Sequence, residues 1–130
     1  MTEKDKELLL RDLCARLPYR VKVKVKYYDD NWRLLAIYTN DTTYVTRDIG
    51  YPIETYFEDC KPYLFPLSSM TDEEWEEYQK IRMIDWVHGD INGTFINSGL
   101  IVDWLNAHHF DYRGLIEKGL AIDATGLNIY

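Results

Sequence analysis

The pattern of apolar and polar residues predicts an α+β fold. It comprises an N-terminal helix, a three-stranded antiparallel meander, a proline- and aromatic-rich connection, and two or three helices packed on one sheet face. Three observations carry this. Residues 21–28 read VKVKVKYY, a strict period-2 alternation that sets Val21, Val23 and Val25 on one face and Lys22, Lys24 and Lys26 on the other. Clusters of turn formers at 29–31 and 40–42 then cut the following residues into short strand-sized runs. On either side of this region the apolar residues recur at helical spacing instead.

The first helix spans 2–16, with Thr2 as N-cap and a stripe of Leu9, Leu10, Leu13 and Leu17; Pro18 ends it. The meander follows, with strands at 19–28, 32–39 and 44–48. Short hairpin connections add little loop entropy, and such a sheet can keep one face in water. From Gly50 to Met70 the pattern dissolves into Tyr, Pro and Ser, and Pro52, Pro62 and Pro66 would interrupt a regular ladder. A connection of that length is expected to be an ordered lid or a functional loop. Thr71 and Glu74 then form a capping box for a second, acidic helix carrying Trp75, Tyr78, Ile81 and Ile84, stopped by Gly89. A third helix runs from Ser98 to about His109 with Ile101, Trp104 and Leu105 inward. Asp111 caps a short fourth helix ending at Gly119, and Leu120–Ile122 either returns as an edge strand or simply packs. The expected core is Val21, Val23, Val25, Leu34, Trp75, Ile81, Ile84, Trp104 and Leu105.

At 130 residues the chain reads as a single domain, 1–130, with enough buried surface for its own core and no need of a metal or disulfide staple. Its net charge of −7 is unevenly spread: residues 1–50 hold 10 basic and 8 acidic side chains, residues 51–130 hold 5 and 14. The acids crowd the start of the second helix, where its dipole favours them. No apolar run approaches the roughly 18 residues of a membrane span, and the first residues lack a secretory h-region, so a cytoplasmic setting is expected. Cys14 and Cys60 have no C-x-x-C spacing and read as free thiols.

Motifs for catalysis are weak. HGDINGTFIN at 88–97 has the opening of a kinase catalytic loop, but the fifth residue after Asp90 is Phe95, not Asn, and no phosphate loop precedes it. A calcium loop at the same place lacks its closing Glu. A small metal-dependent or Cys/His enzyme would need His88 and Asp90 to meet His108 or His109, or Cys60 to meet a histidine, and no spacing selects either. No cofactor is implied. Lys22, Lys24 and Lys26 form a basic row of the kind a nucleic-acid module uses, but the net charge of −7 argues against a nucleic-acid partner, and such a row also guards an exposed sheet. The acidic second half is compatible with nucleic-acid mimicry.

Two blocks, KPYLFPLSSMTDEEWEEY at 61–78 and DWLNAHHFDYRGLIEKGLAID at 103–123, resemble small proteins of no assigned activity carried by phages, prophages and mobile elements of gut Bacteroides-group bacteria. That group often carries Arg between the leucine and the second proline, where this chain has Phe65. The resemblance implies a setting and no catalytic residues. The expectation is a non-enzymatic accessory protein that binds a phage or host protein. Its contact surface would be Tyr51, Tyr56, Phe57, Tyr63 and Phe65, because tyrosine and other aromatic residues are favoured at interfaces.

Overall fold

The computed structural model describes residues 1–28, 31–38, 42–46, 51–87 (backbone alone at 84–87) and 99–130. Helix α1 spans Glu3–Arg16 and begins with a full capping box: the Thr2 hydroxyl accepts from the Asp5 N–H, and the Asp5 carboxylate accepts from the Thr2 N–H. Pro18 falls in a 3-10 turn, Leu17–Tyr19, that closes on Arg20 in the left-handed region.

Strands β1 (Lys22–Val25), β2 (Asn31–Ile37) and β3 (Thr42–Thr46) form the expected antiparallel meander. A bulge between Leu34 and Ala36 shifts the β2–β3 register. The sheet is larger than three strands. β4 (Ile53–Tyr56) adds antiparallel to β3, and β5 (Cys60–Pro66) adds antiparallel to the other side of β1. The two-residue strands β6 (Phe110–Asp111) and β7 (Ile122–Asp123) pair parallel with β5. The result is a mixed seven-stranded sheet.

The proline-rich connection is therefore not a loop; its described part is mostly strand. The prolines sit where the ladder tolerates them: Pro62 lies opposite Val23, one residue before the β7 pairing begins at Tyr63, and Pro66 is the last residue of β5. The expected fourth helix is absent as well. Asp111 still caps, accepting from the Leu115 and Ile116 N–H groups at 3.0 Å each, but it organises turns that carry the chain into β7.

Two cores hold these elements. In the first, Leu9 and Leu13 of α1 pack on Val21, Val23, Val25, Trp32, Leu34, Val45 and Leu64, so α1 covers one face of the sheet. In the second, α2 (Asp72–Val87) and α3 (Gly99–Ala107) enclose Trp104, Leu105 and Phe110 with Phe65, Tyr78 and Ile81. These later helices pair with each other around β6 and the end of β5, whereas the sequence placed them over a sheet face. Thr71 and Glu74 make the expected reciprocal cap at 3.0 and 3.1 Å. Trp75, expected inside, is 51% exposed; it stands on the outer side of α2 with its ring against Tyr78. No described helix is long and apolar enough to cross a membrane.

Candidate binding surface

The alternation in β1 now has two consequences. Its valines are fully buried under α1, so its lysines lie on the opposite sheet face. The neighbouring strands extend that row, because residues paired across a sheet share a face. Lys22 pairs with Arg33 of β2, and Lys24 pairs with Asn31 of β2 and with Lys61 of β5. Lys24, Lys61 and Asn31 are exposed, and Lys22 and Arg33 are half-buried. Lys24, Lys26 and Lys61, with Glu58, Asp59 and Ile122, line an open cleft of about 460 Å³. Among the described residues neither Lys24 nor Lys61 forms an ion pair.

The same face carries aromatics further along. Tyr44 of β3 pairs with Ala36 and with Glu54 of β4, and Tyr56 pairs with Thr42. The rings of Tyr38 and Tyr44 meet edge to face at 5.5 Å, and Tyr38 and Tyr56 are 56% and 62% exposed. The face thus has a cationic half over β2, β1 and β5 and a tyrosine half over β2, β3 and β4.

At the Lys22 end the chain closes over the sheet. The Tyr130 hydroxyl accepts the Lys22 backbone N–H at 2.9 Å and donates to the Tyr63 carbonyl at 2.8 Å, bridging β1 and β5. Its hydroxyl is held above the usual phenol range, chiefly by burial. The Lys22 ammonium donates to the Ile129 carbonyl and lies 5.7 Å from the centre of the Tyr130 ring. His109 stacks on that ring at 3.8 Å. Its backbone is left-handed, and its Nδ1 is buried without a hydrogen-bond partner. Burial, then the positive charges of Arg16, His108, Arg33 and Lys22, push the His109 imidazole down to about 4.

Below an unfolded value near 6.5 an unfolded His109 takes up a proton that the folded one refuses, so its contribution to stability is present above pH 6.5 and is lost as the pH falls towards about 4. Asp12, whose carboxyl burial raises, acts in the opposite sense. His109→Asn suits the left-handed backbone and removes the titration. Urea midpoints at pH 7 and pH 4.5 should therefore differ less in His109→Asn than in the parent chain. An equal acid loss in both would contradict the assignment.

The other residues singled out by sequence separate. Of the five aromatic candidates, Tyr51 and Tyr56 are exposed, at 92% and 62%, while Phe57 and Tyr63 are 3% and 8% exposed and Phe65 packs into the second core. They do not form one surface. His108 stacks on Trp104 at 4.2 Å with its Nδ1 against the Trp104 carbonyl, so the two adjacent histidines face different partners. His88 and Asp90, with the rest of the 88–97 string, lie outside the described residues. Among those described, no three metal-ligating side chains converge. Cys60 is fully buried beside the Tyr56 carbonyl, and burial, with Asp59 second, pushes its thiol up to about 12. A thiol so held is no nucleophile at neutral pH.

Two features escaped the sequence reading. Arg33 and Lys61 join the lysine row only through sheet register, and Lys61 lies in the proline-rich segment, whose composition hides a strand. Asp12 and Arg16 are the second: both are fully buried, joined at 2.8 Å, with Arg16 also donating to the Phe110 carbonyl at 2.6 Å and Arg113 reaching Asp12 at 3.4 Å. Their positions three and seven residues after Leu9 put them on the apolar stripe itself, which was the available signal.

Comparison with known proteins gives no match to any family model, curated protein or solved structure.

Proposed function

We propose that the chain is a non-catalytic accessory protein that works by binding an anionic partner on the sheet face opposite α1. The observation that supports this most is the placement of Lys24 opposite Lys61, with Lys26 beside them in one open cleft. Like charges directly across a ladder tend to destabilise a sheet, and this pair stands in a chain of net charge −7, where acidic residues would be the easier choice. A bound anion offsets that repulsion. The likeness of residues 61–78 and 103–123 to proteins borne by phages and mobile elements supports an accessory setting.

Lys24→Glu tests the reading because stability and binding should move in opposite directions. The variant faces Lys61 with an opposite charge, so it should gain about 0.2–1 kcal/mol in urea unfolding. It should also lose retention on immobilised heparin at low salt. Retention equal to that of the parent chain would overturn the proposal.

A further inference from the structure

Resting on that reading, we infer that the anionic partner is a single-stranded nucleic acid, its phosphates over Lys24, Lys26 and Lys61 and its bases on the tyrosines of β3 and the β2 end. The two halves of the face supply the two kinds of contact such a ligand needs. The cations attract the backbone without reading sequence, and exposed rings stack on bases, every one of which has a π-face.

The geometry suits a flexible chain. Strands lie roughly 5 Å apart, so from Tyr44 on β3 to Lys61 on β5 is three strand steps, or about 15 Å across the sheet. A single strand can follow that path and splay its bases towards Tyr38 and Tyr44. A duplex keeps its bases stacked on one another and leaves the rings without a partner. An acidic protein segment would use the lysines, and it would use the tyrosines only where it carries apolar side chains of its own. Acidic groups stand along the track: Glu54 beside Tyr44, and Glu58 and Asp59 in the cleft with the lysines.

The test is fluorescence anisotropy of the intact chain with a labelled 12-nucleotide oligo-dT, the same length as duplex, and a polyglutamate peptide. The single strand should bind most tightly, and three phosphate contacts should give log K against log salt a slope of about −2. Lys24→Glu should weaken every anion. Tyr38→Ala, at an exposed position, and Tyr44→Leu, which keeps an apolar group, should each weaken the single strand about fivefold or more and leave polyglutamate unchanged. If polyglutamate binds as tightly as oligo-dT and the tyrosine variants alter neither, the partner is an acidic protein and this inference falls while the proposed function stands. If no anion binds the parent chain, both fall.

Discussion

Arg16→Met should remove about 3–5 kcal/mol of stability, a large fraction of what a domain of this size has. The reason is what remains. Asp12 is fully buried, and without the 2.8 Å bond from Arg16 its carboxylate keeps only the more distant Arg113. The Phe110 carbonyl loses its donor too, and α1 loses its polar link to β6. The double variant Asp12→Leu/Arg16→Met should recover part of the loss, since apolar groups of similar size often replace a buried pair without penalty. The orphaned Phe110 carbonyl would hold back about 1–3 kcal/mol of that recovery. Urea unfolding of the two variants reads the difference directly. A double variant less stable than Arg16→Met would contradict the account, because it would mean the unpaired Asp12 carboxylate was not the source of the loss.

Phe110→Ala is expected to cost about 3–5 kcal/mol by a different route, a cavity in the second core. Phe110 is 1% exposed, stacks on Trp104 at 5.6 Å and approaches Phe65 at 6.3 Å, so it joins α3 to β5. Its loss should loosen α2 and α3 before it loosens the sheet. Amide hydrogen exchange would show this as faster exchange in α3 than in β1 and β2, since local opening follows the contacts removed. Uniform acceleration across both cores would show instead that they unfold as one unit.

How much of this was readable from sequence depended on the range of the interactions. α1, the β1–β2–β3 meander and the α2 cap rest on residues within a few positions of one another, and each was found from Thr2, the valine–lysine alternation, and Thr71 with Glu74. β4 and β5 depend on partners far along the chain. A proline in a strand looks like a breaker until the register shows that Pro62 sits at a tolerant place. The two-residue strands β6 and β7 have no periodicity to read. The binding surface divided the same way: Lys22, Lys24 and Lys26 were visible as a local row, whereas Arg33 and Lys61 joined them through long-range pairing. Aromatic content alone misled, because Phe57 and Tyr63 serve the interior.

Titrating the 15N-labelled chain with 12-nucleotide oligo-dT and following its amide resonances shows whether the sheet face opposite α1 takes an anionic strand. Shifts should concentrate at Lys24, Lys26, Tyr38, Tyr44 and Lys61 and fade as salt is raised. Shifts confined to α2 and α3, or no shifts at low salt, would contradict such binding.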